Sequence, residues 1–245
     1  MPAIALRPRS ATEIIDASFQ LLRSHYTQLV AVAVVALLPY IILVALAGGT
    51  YGSSVFLVLV AQFLCAALAE AAVIVAVSDA YIGTNVDIHR AITTTVGRLP
   101  TIILAGIIRG VAVMLGVVLF IFPGVYVALR TFAITPVVVL EDRSASDAMA
   151  RSWSLAKGEV GKVFITLLLA WLIFIVLYVL LLMLVGMLGA HNPRATNLIV
   201  AILMALVYPI TGVVTTFLYY DIRVRREGFD LELLAREAAP EVSSA

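Results

Sequence analysis

Thr101 to Phe122 reads TIILAGIIRGVAVMLGVVLFIF, apolar almost throughout with one arginine, Arg109, in its midst. As a helix rising 1.5 Å per residue it extends roughly 33 Å, enough to cross the hydrocarbon core of a bilayer. A guanidinium keeps its charge there, at a cost of at least about 2.5 kcal/mol in the middle of a lipid-facing helix. The stretch therefore calls for a partner to Arg109, a water-filled cavity, or both.

The rest of the chain has the same character. Hydrophobic residues make up 63% of its 245 and charged residues 13%, far from the roughly half and quarter of soluble domains, so the chain reads as an integral membrane protein. A net charge of +1 leaves no basic stripe for a nucleic acid once the loop charges are assigned to the membrane surface. Cys65 is the single cysteine, and His25, His89 and His191 are scattered, so neither a disulfide, a metal site nor a cofactor is expected. The N-terminal arginines precede no compact apolar run with a small-residue cleavage site, and the first span is expected to serve as its own insertion signal.

Six spans are predicted: Leu29 to Ala47, Ser53 to Ser78, Thr101 to Phe122, Val125 to Leu140, Val163 to Leu188, and Asn197 to Tyr220. Gly48 to Gly52, Phe122-Pro123-Gly124 and Gly189 to Thr196 serve as turns between them. Ahead of each pair lies a polar segment headed by capping-box spacing: Ser10 with Glu13, Thr84 with Asp87, Ser144 with Asp147. Ser10 to Thr27 is amphipathic, with Ile15, Phe19, Leu22 and Tyr26 on one stripe, and Ser144 to Lys157 forms a helix that Gly158 ends. The expected fold class is all-α: a polytopic bundle of six transmembrane helices in three hairpins, each preceded by a short cytoplasmic interfacial helix.

Residues 1–228 make one membrane domain and 229–245 a cytoplasmic tail. Units 10–80, 84–142 and 144–221 share one order of parts, and an offset of 134 sets Ser10 on Ser144, Phe19 on Trp153 and Arg23 on Lys157; shared demand for an N-cap and a basic end accounts for much of that likeness, so a genuine parallel repeat and a coincidence of caps both stay open. The positive charges set the topology. Arg7, Arg9 and Arg23, then Arg90 and Arg98, then Arg143, Arg151, Lys157 and Lys162, and finally Arg223, Arg225, Arg226 and Arg236 fall on the side of the termini, against Arg194 on the other. Both termini are therefore expected in the cytoplasm.

Glu70, Arg109 and Arg130 each lie roughly 13 to 17 Å from the cytoplasmic end of their helix. Glu70 could pair with Arg109, with Arg130 or with both, as a staple between helices; two arginines against one glutamate would alternatively leave a positive excess for an anionic ligand such as a lipid phosphate. Tyr208, Thr211, Thr215 and Tyr219 recur at helical spacing and make a polar seam toward the same interior, or else hydroxyls serving carbonyls freed near Pro209. Gly106 and Gly110 form a GxxxG spacing that admits close helix packing or a homo-oligomer contact. The candidate ligand-binding set is thus Glu70, Arg109, Arg130, Tyr208 and Thr215. No nucleophile elbow, HExxH or phosphate-binding glycine loop occurs, and no catalytic residues are assigned.

Several stretches carry a resemblance: LRPRSATEIIDASFQLLRSHYTQLV at the start, FPGVYVALRTFAITPVVVLED and SASDAMARSWSLAKGEVGKV in the middle, and YPITGVVTTFLYYDIRVRREGFDLELL at the close. Together they resemble the membrane domain of the glycerophosphoryl diester phosphodiesterase type, a bacterial family of six-span proteins. Arg151-Ser152-Trp153 with Gly158, and Tyr219-Tyr220-Asp221-Ile222-Arg223, are its most specific parts. In such enzymes the chemistry belongs to a separate soluble barrel with an HRG-type metal motif, whereas this chain has His89-Arg90-Ala91 and no length for a barrel. The resemblance implies a stand-alone membrane domain; the missing motifs lead to the expectation of no enzymatic activity, with a membrane-bound enzyme as the third alternative, and the expected place is the bacterial cytoplasmic membrane, with lipids around it. Its expected role is a scaffold that binds a protein partner; the alternative is a small transporter or lipid-handling protein for a phosphate-bearing substrate.

Overall fold

The computed structural model describes residues 9–47, 55–187 and 192–228; the turn at Gly48 to Gly52, His191 with the start of the turn from Gly189, and the tail 229–245 lie outside the described residues. Among the described residues the fold is all-helical, and six helical segments are long and apolar enough to cross a membrane.

Helix α1 spans Ala11–Leu46. Ser10 opens it with a complete capping box, its Oγ accepting from the Glu13 amide at 3.2 Å while its own amide donates to Glu13 Oε2 at 2.7 Å. At His25 the backbone leaves helical values (φ −121°, ψ 20°), and this kink marks the change from amphipathic segment to apolar span. Helix α2 (Val55–Ile82) ends at Gly83, whose φ of +88° is open to a residue without Cβ. The Thr84 amide then reaches back to the Asp79 carbonyl at 2.9 Å, the closure expected of a Schellman end. Thr84 is therefore the tail of α2 and caps no helix. The cap of α3 (Ile88–Leu119) is Asp87, accepting from the Arg90 amide at 3.1 Å.

The first polar segment leads into its span across the kink at His25 within α1, and the second runs on into its span as the first part of α3; Pro39 and Pro100 lie inside these helices without ending them. The predicted separate helix occurs in the third case alone, as α6. The turn after α3 is at Phe120, earlier than Phe122-Pro123-Gly124, and Pro123 falls in the first turn of α4 (Ile121–Arg130), where a missing N–H costs nothing. The tightness of this turn comes from glycine: a Cβ on Gly116 would stand 2.7 Å from Gly124 Cα.

The fourth span is two helices, α4 and α5 (Ile134–Leu140), separated at Thr131 to Ala133. Pro136 explains the break, because a proline ring clashes with the carbonyl four residues back, here Phe132. Ser144 caps α6 (Ala145–Leu155), Gly158 at φ +84° turns the chain, and α7 runs Val160–Met187. The last span is likewise divided, into α8 (Pro193–Val207) and α9 (Pro209–Glu227).

Helix α9 is the centre of the bundle, packing on α1, α2, α5, α6, α7 and α8, and Phe217, Leu218, Tyr219 and Ile222 are buried in it. Against it lies α2, where Ala71 to Val77 are buried without interruption. A Cβ on Gly212 would meet Val73 Cγ1 at 2.6 Å. Lipid tails are as apolar as the core, so close packing of small residues and polar contacts hold such helices together. Helices α3 and α7 are the least enclosed, with Leu115, Val118, Trp171 and Met183 facing outward, which suits contact with lipid.

Candidate functional site

A cavity of about 500 Å³ opens between α2, α3, α5 and the α8–α9 junction. Glu70 enters it from α2, Arg109 from α3, Thr135 from α5 and Tyr208 from the junction, among apolar side chains such as Phe63, Ile102 and Met114. Glu70 and Arg109 are half-buried. The charge that acts on Glu70 is that of Arg109, yet neither side chain makes an ion pair or hydrogen bond with a described residue. Tyr208 is anchored, its hydroxyl donating to the Ala66 carbonyl at 2.8 Å. Gly106 and Gly110 line the same cavity, and a Cβ on Gly110 would meet nothing within 4 Å. Close packing within the chain therefore occurs at Gly116–Gly124 and Gly212–Val73, not at the GxxxG spacing.

Arg130 lies elsewhere. Its guanidinium stacks over Trp153 at 4.6 Å and Tyr126 at 5.6 Å, and it does not line the cavity. The two arginines consequently do not converge on one glutamate, and the expected positive excess is split between two places. Arg130 is the last residue of α4, where a cation complements the helix dipole. Ser152 of α6 repairs the helix break beside it: fully buried, it donates to the Arg130 carbonyl and accepts from the Ala133 amide, each at 3.1 Å. Thr215 joins Thr211 on a separate groove between α4, α7 and α9, and Thr211 donates to the Tyr208 carbonyl near Pro209. Of the seam, Tyr208 alone meets Glu70 and Arg109.

Residues absent from the sequence-based set form a polar network at the helix ends near residues 9 and 227. Asp221, 4% exposed, accepts from the Arg9 amide at 2.6 Å, from Lys162, and from Arg225 Nε at 3.0 Å. Lys162 and Arg225 each donate to the Arg9 carbonyl at 2.6 Å. Glu141 accepts from Arg151 at 2.9 Å and from the Tyr219 hydroxyl at 2.9 Å. Arg151 forks onto Glu227 at 2.5 and 2.8 Å; Glu227 first, and Glu141 after it, raise the Arg151 guanidinium above its ordinary pKa and keep it charged. Tyr220 bonds to Ser78 at 2.6 Å and stacks on Tyr81 at 4.7 Å. Asp79 pairs with Arg90 at 2.7 Å, and Arg98 with Asp142. The signal in the sequence was the pair of stretches Arg151-Ser152-Trp153 and Tyr219 to Arg223, in which nearly every side chain proves to have a structural partner.

Among the described residues no group of histidine, cysteine and carboxylates is placed to hold a metal ion. Neither a curated protein nor a solved structure matches the chain. The family described as the membrane domain of glycerophosphoryl diester phosphodiesterase matches residues 97–224, just over half of the chain. Arg109, Arg130, Tyr208 and both signature stretches fall within the match; Glu70 and the opening stretch from Leu6 fall before it. This multi-pass membrane protein therefore belongs to the family of membrane domains of glycerophosphoryl diester phosphodiesterase.

Proposed function

We propose that the chain is a non-enzymatic, lipid-handling membrane domain that admits the headgroup of an amphiphile to the cavity between α2, α3 and α5. One observation carries this reading: Glu70 and Arg109 face the same open cavity, and neither makes a polar contact with a described residue. Two ionisable groups held half-buried without a polar partner leave each other's polar character incompletely compensated. A headgroup with a phosphate for Arg109 and a cationic or hydroxyl group for Glu70 would complete both, while the apolar lining takes the chain. The polar end of the bundle faces the cytoplasm of a bacterium on this reading, because the lysines and arginines gather there.

The test is retention of phospholipid by detergent-purified protein, followed by native mass spectrometry. Arg109→Gln and Glu70→Gln should each fold and retain less phospholipid than the wild type. Unchanged retention in both would refute the reading.

A second reading, a scaffold for a protein partner, is favoured by the fixed charges at the polar end. There Arg226 donates to the carbonyls of Ser154 and Lys157 at the end of α6, at 2.9 and 2.5 Å, so its charge already has a defined position for a partner to meet. A second copy docking through Gly106 and Gly110 belongs to this reading. Co-purification of a stoichiometric partner or a dimer, lost on Arg226→Glu or Gly110→Leu respectively, would support it.

A further inference from the structure

Arg130 is 7% exposed, yet among the described residues its guanidinium has no carboxylate beside it, and its Nε has no hydrogen-bond partner. Its neighbours are two aromatic rings, Trp153 at 4.6 Å and Tyr126 at 5.6 Å, themselves edge-to-face at 5.9 Å. A ring covers the face of a guanidinium and leaves the N–H groups around its edge free. The Tyr126 hydroxyl and the Trp153 indole N–H likewise bond to no described residue. A guanidinium, a hydroxyl and an indole N–H thus share this cluster with no carboxylate among the described residues beside them. Tyr126 and Trp153 are 46% and 36% exposed, so the rim of the cluster is open although its cation is covered.

An apolar groove of about 670 Å³ adjoins this cluster, between α4, α7 and α9. Val125 and Leu129, which line it, are the sequence neighbours of Tyr126 and Arg130 on α4; Phe164, Leu168 and Trp171 face them from α7. A buried cation without a carboxylate selects an anion, and the groove beside it selects an acyl chain. In a bilayer the anion at the head of an acyl chain is a phosphate.

We propose that Arg130, Tyr126 and Trp153 bind the phosphate of a membrane phospholipid whose acyl chains lie in the groove between α4 and α7. This site is separate from the Glu70–Arg109 cavity and does not depend on a function there. With no described carboxylate at Arg130, a lipid carrying its own ammonium group gains nothing from it, so the site prefers net-anionic lipids.

The experiment compares phosphatidylglycerol with phosphatidylcholine of identical acyl chains on the full chain, by native mass spectrometry from detergent. Wild-type protein should retain phosphatidylglycerol preferentially. The double variant Tyr126→Phe/Trp153→Phe keeps an aromatic ring at both positions and removes both neutral donors; loss of two hydrogen bonds to a charged group should weaken phosphatidylglycerol binding by about tenfold or more. Arg130→Gln should abolish the preference between the lipids. Equal retention of both lipids by the wild type, or wild-type retention in the double variant, would overturn the proposal. Displacement of the lipid by inorganic phosphate alone would overturn its assignment to a lipid.

Discussion

Ser152→Ala removes one oxygen and strands two backbone groups. The Arg130 carbonyl loses its donor and the Ala133 amide its acceptor, both at the break between α4 and α5 where Ser152 itself is fully buried. A buried group left without its partner costs about 1–3 kcal/mol, so the pair should cost about 3 kcal/mol, near the lower half of the combined range because carbonyls tolerate it better than amides. At about 2–4 °C per kcal/mol for a chain of this size, the midpoint of thermal unfolding should fall by about 10 °C. The assay is circular dichroism on heating in detergent, with Ser154→Ala as control: Ser154 donates to the Arg151 carbonyl within α6 and is exposed, so its loss should shift the midpoint hardly at all. Hydrogen exchange supplies a local readout, since the Ala133 amide should lose protection in Ser152→Ala. Equal midpoints for the two variants, with Ala133 still protected, would refute the claim that Ser152 holds the broken span together.

The two glycine sites should part company: Gly116→Ala, whose Cβ would press on the Gly124 backbone at 2.7 Å, should lower thermal stability, whereas Gly110→Ala should leave it unchanged, and the reverse order would show that α3 packs through its other face. Asp221→Asn deprives Lys162 and Arg225 of their buried carboxylate and should cost about 3 kcal/mol; faster proteolysis near Arg9 together with a lower midpoint would be seen, and wild-type resistance to protease would contradict it. Tyr219→Phe removes the hydrogen bond to Glu141 at 2.9 Å and should cost about 1.5–3 kcal/mol, as for a bond to a charged group; an unchanged midpoint would assign that carboxylate's hold to Arg151 alone.

The spans were legible because length and apolarity are nearly sufficient to identify a membrane helix, and the caps at Ser10 and Ser144 because capping is a local hydrogen bond between near neighbours. Thr84 was misassigned for an equally local reason: Gly83 just before it already signalled a helix end, and a threonine after a helix-ending glycine serves the helix it leaves. The break at Thr131 to Ala133 was less visible, because its cause, Pro136, lies downstream of its effect and Pro39 and Pro100 produce no such break. Depth along a helix suggested that Glu70, Arg109 and Arg130 share a level. Depth says nothing about rotation around the helix axis, and it is rotation, together with the break after Arg130, that turns Arg130 toward Trp153. The network around Asp221 and Glu141 joins helix ends far apart in sequence, so no spacing within one segment could reveal it.

The Arg9–Asp221 contact joins residues 212 positions apart, and this separation sets an order of assembly. A chain entering the membrane from its N-terminus offers Arg9 and Lys162 well before their carboxylate exists, since Asp221 belongs to α9. Until then Lys162 stays in water or among lipid headgroups, and the Arg9 amide lacks the carboxylate that accepts from it. Arrival of α9 supplies in one step the carboxylate for both, the Arg225 that joins them at the Arg9 carbonyl, and the small-residue face at Gly212 on which α2 settles. The final helix is thus the keystone of the insertion sequence, and a chain arrested before it would display Lys162 without its carboxylate, a mark by which incomplete copies differ from finished ones.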